Sequence, residues 1–144
     1  MRKLGLDVGD KTVGIAVSDE NAIISNGVTT IKRIGIRKDT GKIIDLVKEY
    51  NVDTVVIGLP LGLNGNDTIQ TEKVREFKTM LENKLRSGGF KVKIEWQDER
   101  FSTVAAERVL IEAGMRRENR KDVIDKQAAV IILQSFLDRI NNEQ

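Results

Sequence analysis

Three short apolar runs crowd into the first 34 residues with no room for a helix between them, and this most narrows what the chain can fold into. Along Lys3 to Val8, residues Leu4, Leu6 and Val8 alternate, giving one apolar strand face. Asp7 falls on the opposite face, at the strand end. Gly14 to Ser18 (GIAVS) is a second run, and Gly9-Asp10-Lys11 between them reads as a hairpin turn in which glycine beside Asp relaxes the backbone. Val28 to Ile34, rich in β-branched residues, reads as a third strand.

The pattern then changes to alternating helices and strands. Asp39 to Tyr50 carries a helical stripe of Ile43, Ile44, Leu46 and Val47. Asp53 to Ile57 (DTVVI) is a buried-strand pattern stopped by Gly58 and Pro60. Gly62, Asn64, Gly65 and Asn66 form a loop, and Thr68 to Leu85 is a helix ended by Gly88-Gly89. Lys91 to Gln97 alternates, with Val92, Ile94 and Trp96 on one side, as an edge strand would. Ser102 or Thr103 can cap a helix running to Ala113 and stopped by Gly114, and a last helix runs from about Asp122 to Ile140. The order β-β-β-α-β-α-β-α-α favours an α/β fold. Its mixed five-stranded sheet would hold three antiparallel strands, then two parallel ones, flanked by helices. One domain over residues 1–144 is expected from the length.

The chain contains no cysteine and no histidine. Disulfides, thiolate nucleophiles, Cys/His zinc sites and a Ser-His-Asp triad are therefore excluded. A hydrolase built from the remaining groups would recruit a hard divalent ion, Mg²⁺ or Mn²⁺, through Asp and Glu. No apolar run approaches the ~20 residues of a membrane span. MRKLGLDVG lacks a signal-peptide pattern, so a cytoplasmic location is expected.

Three acidic positions stand out. Asp7 ends a strand and precedes Gly9, whose missing side chain would let a phosphate approach; the plainer reading is an Asp that starts a turn. Asp98 and Glu99 end the last strand, followed by Arg100, which could pair with a phosphate; alone, a polar strand-to-helix turn explains them as well. Asp125 is the most telling. It lies in the first turn of the last helix, on the face continued by Ala128, Ala129, Ile132 and Phe136. An inward carboxylate is costly unless it is paired, hydrogen-bonded or metal-bound. The helix dipole accounts for its place along the helix but not for its face. Gathered together, these acids could hold one or two metal ions, and without a cation their mutual repulsion would raise their pKa values.

Basic residues gather beside Asp125: Arg108, Arg116, Arg117, Arg120, Lys121 and Lys126, with Gly114 to Lys121 reading as a mobile loop. A polyanion suits such a loop, and so does plain solvation. Lys11 lies in the hairpin turn after Asp7. With 4% aromatic residues, base stacking is not expected to dominate binding. Gly62 to Asn66 could flank substrate, and the helix after it could offer N–H groups to an anion.

Four ordered blocks carry a family resemblance: LGLDVGDKTVGIAVSD (4 to 19), VVIGLPLGLNG (55 to 65), DERFSTVAAE (98 to 107) and DVIDKQAAVIILQSFLD (122 to 138). Together they resemble the YqgF/RuvX family of pre-16S rRNA nucleases, also described as Holliday junction resolvase-like. The resemblance implies an RNase H-like fold, an acidic metal site and a part in maturing the 5′ end of 16S rRNA, hence in ribosome biogenesis. By motif, Asp7 is the first-strand acid, Asp98 or Glu99 the fifth-strand acid, and Asp125 the acid of the final helix. Strand parity puts Asp98 on the Trp96 side if the strand extends that far. The substrate contacts expected from charge and turn geometry are Gly9, Lys11, Arg100, Arg116, Arg117, Arg120 and Lys121.

Two departures matter. Related RuvC-type resolvases carry an acid at the end of the fourth strand, where this chain has Gly58-Leu59-Pro60, so the site must use the fifth-strand acid or bind metal more weakly. Thr12 stands where many members have Arg, which implies one substrate contact fewer. Three functions stay open: a precursor-rRNA nuclease, a DNA junction resolvase, which would need a dimer to cut two strands, and a non-catalytic RNA-binding assembly factor. LGLDVG also resembles the first phosphate loop of actin and sugar-kinase folds, but those need two such domains and 144 residues supply one.

Overall fold

Eight elements are present in the computed structural model, which describes residues 1–99 and 120–143, with side chains from residue 126 onward in the last helix. They are β1 (Arg2–Val8), β2 (Thr12–Ser18), β3 (Ser25–Lys32), α1 (Ile36–Tyr50), β4 (Val52–Leu59), α2 (Ile69–Ser87), β5 (Lys93–Asp98) and α3 (Arg120–Asn142). The strands form one sheet in the order β3-β2-β1-β4-β5. β1–β2 and β2–β3 pair antiparallel, and β1–β4 and β4–β5 pair parallel. The expected architecture is therefore present, with β5 at an edge. The expected helix over 102–113 lies outside the described residues.

Alternation along the strands divides the sheet into two faces. Leu4, Leu6, Val8, Val13, Ile15, Val17, Val55 and Ile57 form a core with Ile43 and Val47 of α1 and Val74, Phe77, Leu81 and Leu85 of α2. Each such large side chain contributes about 1.5–3 kcal/mol when fully buried. On the other face Ala16 and Val56 meet Ala128, Ala129, Ile132, Leu133, Phe136 and Leu137 of α3. This face is built from smaller residues, so α3 comes very close. A Cβ added at Gly5 would lie 2.7 Å from Leu133 Cβ, and one at Gly58 would lie 2.6 Å from Ile132 Cδ1.

Several boundaries differ from the sequence reading, each for a physical reason. β3 starts at Ser25, three residues before the expected Val28, because pairing with β2 extends to Ser18↔Ser25 despite the weak strand formers Asn26 and Gly27. It ends at Lys32, leaving Ile34 exposed. α1 starts at Ile36 and not at Asp39. Its first turn offers only Ile36 before three polar residues and so lacks a stripe, but Asp39 accepts N–H bonds from Ile34 (3.0 Å) and Gly35 (3.3 Å), which fixes the chain leading into the helix. Gly58 does not stop β4, since it pairs with Gln97, and Leu59 pairs with Asp98. Gly9 does not occupy the left-handed region; instead, a Cβ there would lie 3.1 Å from the Thr12 carbonyl, so the close turn needs the small residue.

Candidate active site

The ends of β1, β4 and β5 meet at one edge of the sheet because these three strands run parallel. Asp7 is the penultimate residue of β1, directly opposite Gly14 of β2, and it is 7% exposed. Its neighbours Leu6 and Val8 face α1 and α2, so Asp7 belongs to the face covered by α3. The β1–β4 register runs to Leu6↔Ile57, and one further step sets Asp7 beside Gly58.

Gly58 is where the fifth-strand acids separate. Trp96 pairs with Ile57 and packs on the α1/α2 side, so alternation carries Asp98 to that same side, as strand parity led us to expect. Glu99 follows the last residue of β5 and its N–H donates to the Leu59 carbonyl at 3.2 Å. Its carboxyl carbon lies 3.2 Å from the point a Gly58 Cβ would occupy, beside Ile132. The Glu99 carboxyl therefore fills the space left by Gly58, on the α3 face, one strand spacing (about 5 Å) from the Asp7 position. The resemblance to RuvC-type resolvases implies an acid at this end of β4.

Asp125 lies in α3, the helix that covers this face, and its side chain lies outside the described residues. The stripe used to orient it is real. Ala128, Ala129, Ile132 and Phe136 are all buried against the sheet. Among the described residues no three acids come together as a ready metal cluster. Asp7 and Glu99 bring only hard carboxylate oxygens to their shared face, a donor set that fits Mg²⁺ or Mn²⁺ rather than a soft metal.

Of the basic positions, Lys11 is exposed in the β1–β2 turn. Arg100, Arg108, Arg116 and Arg117 lie outside the described residues, as do the side chains of Arg120 and Lys121 in the first turn of α3. Lys126 is exposed and crosses Gly27 of β3, with its Cγ 3.0 Å from an added Cβ there. Thr12 is buried on the Asp7 face. The loop before α2 is fastened by a capping box between Thr68 and Thr71, and the Thr71 hydroxyl donates to the Pro60 carbonyl. The Thr71 N–H is therefore already used, which removes one of the helix-start donors expected for an anion.

The sequence reading gave Arg33 no role and used Asp39 only as the start of a helix. Asp39 has no exposed surface and forms an ion pair with Arg33 Nε at 2.6 Å. Burial pushes its carboxyl pKa up, but hydrogen bonds from Ile34, Arg33 and Gly35 and the Arg33 charge outweigh that and hold it below the ordinary value. Arg33 Nη1 donates to the Gly9 carbonyl at 2.8 Å. An acid just inside a helix start was a local signal for the cap, but nothing local linked Arg33 to a turn 24 residues earlier.

Comparison with known proteins shows the family and the fold. A family model described as "RuvX: Holliday junction resolvase" matches residues 1–139. A protein of Caldanaerobacter subterraneus subsp. tengcongensis named "Putative pre-16S rRNA nuclease" is 49% identical over 99% of both chains. A Clostridioides difficile protein of the same name is 49% identical, over 98% of this chain and 97% of its own. In structure, the chain resembles Thermus thermophilus RuvC in complex with a Holliday junction substrate (TM-score 0.60, 12% identity, 98% and 96% of the two chains covered). It also resembles the fowlpox virus Holliday junction resolvase (TM-score 0.55, 14% identity, 97% and 99% covered). These distant likenesses speak for the fold, and the family match with the close relatives speaks for descent: the chain belongs to the RuvX family.

Proposed function

We propose that this protein is a nuclease that hydrolyses phosphodiester bonds in precursor 16S rRNA, using a divalent metal ion held by Asp7, Glu99 and Asp125. One observation carries the choice of acids: the Glu99 carboxyl sits over Gly58 on the face of Asp7, while Asp98 belongs to the opposite face. Asp125 joins them by helical spacing from the buried Ala128 and Ala129. Relatives sharing nearly half their residues over the whole chain support the substrate class by their names. Residues 1–144 act as one domain in this reading.

When bound, the metal would neutralise charge at the scissile phosphate and make a water molecule more acidic. The chain itself contributes the rest. Strand-borne Asp7 and the Glu99 carboxyl, backed by Ile132, are held by rigid elements and so define where the phosphate must come. Lys11, Arg100, Arg116, Arg117, Arg120 and Lys121 supply positive charge to guide the backbone, and Gly9 leaves the turn slim. The location is cytoplasmic, where precursor rRNA is. Among the described residues no helix is long and apolar enough to cross a membrane.

Purified protein should cut RNA carrying a 16S precursor 5′ leader in Mg²⁺ or Mn²⁺ and not in EDTA. Asp7→Asn, Glu99→Gln and Asp125→Asn should each lose at least a hundredfold in rate while staying folded, and Asp98→Asn should keep activity within a few-fold. Loss in Asp98→Asn with retention in Glu99→Gln would reverse the assignment. A DNA four-way junction run in parallel separates the resolvase reading: symmetric cutting of the junction and none of the RNA would replace rRNA as the substrate. Metal-independent binding without cutting of either would point to an assembly factor.

A further inference from the structure

Gly9, Asp10 and Lys11 link β1 to β2. Gly9 N–H donates to the Thr12 carbonyl at 2.9 Å, with Asp10 and Lys11 between them. Neither has a positive φ. Groups outside the turn also hold it.

Those groups come mainly from the α1/α2 side of the sheet. Arg33 grips the turn twice, its Nη1 donating to the Gly9 carbonyl at 2.8 Å and its backbone N–H to the Lys11 carbonyl at 2.8 Å. Gln70 Nε2 reaches the Val8 carbonyl at 3.4 Å. An exposed pair between Lys73 and Asp10 at 3.2 Å adds little. Arg33 is itself immobilised: Asp39 holds its Nε, and its guanidinium lies 5.3 Å from the centre of the buried Phe77 ring. Asp39 is fixed in turn by the N–H groups of Ile34 and Gly35. The chain of contacts runs from a buried carboxylate, through a planar guanidinium fork, to the residue two positions after Asp7. A fork with two engaged nitrogens sets orientation as well as distance.

We propose that Arg33, locked by Asp39, is a positioning residue that fixes the β1–β2 turn from behind the sheet and so sets the place of the Asp7 carboxylate. Arg33 does not touch substrate in this arrangement, since it packs on Phe77, on the face opposite Asp7. The inference rests on the reading of Asp7 as a metal-holding acid.

The test uses the full chain with Arg33→Met, which keeps much of the packing on Phe77 and loses the fork, and Arg33→Lys, which keeps the charge and a single donor. Amide exchange, Mn²⁺ titration by calorimetry and RNA cleavage are measured well below the unfolding temperature. In Arg33→Met, exchange at Asp10 to Thr12 should speed up at least tenfold relative to β4 amides. The Mn²⁺ Kd should rise at least fivefold and kcat fall, with KM unchanged. Arg33→Lys should fall between the two proteins, and it alone decides by the same readouts if Arg33→Met does not fold. Wild-type Mn²⁺ affinity and kcat in the variant would overturn the proposal, and so would a rise in KM alone, which would make Arg33 a substrate contact. Wild-type protein that binds no Mn²⁺ would defeat the metal-site reading and the positioning role with it. Normal binding in wild type with unaltered variants defeats the positioning role only.

Discussion

Replacing Gly5 by alanine should destabilise the protein by about 2 kcal/mol. The added Cβ would lie 2.7 Å from Leu133 Cβ and 3.2 Å from the Ala129 carbonyl oxygen. Carbon atoms pack best at ~3.5–4.0 Å, so about 1 Å must be found. Neither partner can swing aside, because a Cβ and a carbonyl oxygen are fixed to the backbone of α3; the helix itself has to lift from β1. Overpacking of this kind costs ~1–3 kcal/mol, and with no rotamer to relieve it the upper part of that range applies. Against it, alanine narrows the unfolded ensemble and returns ~0.4–1 kcal/mol. The net loss should lower the urea midpoint at unchanged m value and reduce Tm by roughly 6–8 °C for a chain of this length. The contrasting case is Gly58→Ala, whose worst contact is 2.6 Å with Ile132 Cδ1, the end of a side chain. Ile132→Val deletes that atom, so Gly58→Ala/Ile132→Val should be more stable than Gly58→Ala alone, although Ile132→Val by itself costs ~0.5–1.5 kcal/mol. Wild-type stability in Gly5→Ala, or no relief in the double variant, would refute the claim that glycines set the height of α3 above the sheet.

Three further outcomes are expected. Gln134 Oε1 accepts from Ser25 N–H and its Nε2 donates to the Ile23 carbonyl, both at 2.9 Å, so Gln134→Ala should cost about 1–3 kcal/mol and speed amide exchange at the start of β3 before that of β1. The Asp39 pKa is depressed on folding, so its stabilisation is complete above the ordinary value of 3.8 and is lost as pH falls through the lower folded value. The gap in urea midpoint between wild type and Asp39→Asn should accordingly be constant at neutral pH and shrink below pH 3.8; a gap independent of pH there would mean that the carboxylate charge plays no part. Glu99→Gln should weaken Mn²⁺ binding measured by calorimetry with little loss of stability, since Glu99 is only partly buried, and equal loss in Asp98→Asn would remove the distinction between them.

Local pattern determined much of this protein. Strand alternation placed Leu4, Leu6 and Val8 inside, and the 3.6-residue period correctly gave α3 its buried stripe of Ala128, Ala129, Ile132 and Phe136. The order of elements determined the sheet topology, because consecutive antiparallel strands and helix-linked parallel strands allow few arrangements. Four sequence blocks sufficed for the family. What local pattern misjudged was decided by partners distant in sequence. β3 starts at Ser25 because β2 pairs with it there, and Gly58 continues β4 because Gln97 lies beside it. The proposed choice of Glu99 over Asp98 rests on where β5 ends and on the Glu99 carboxyl occupying the space over Gly58, 41 residues away by numbering. Arg33 acquired a role only when folding brought it to Gly9. Periodicity records which face a residue prefers, since burial acts on each residue through its own element; which side chain fills the space left by another is a property of the packed tertiary structure alone.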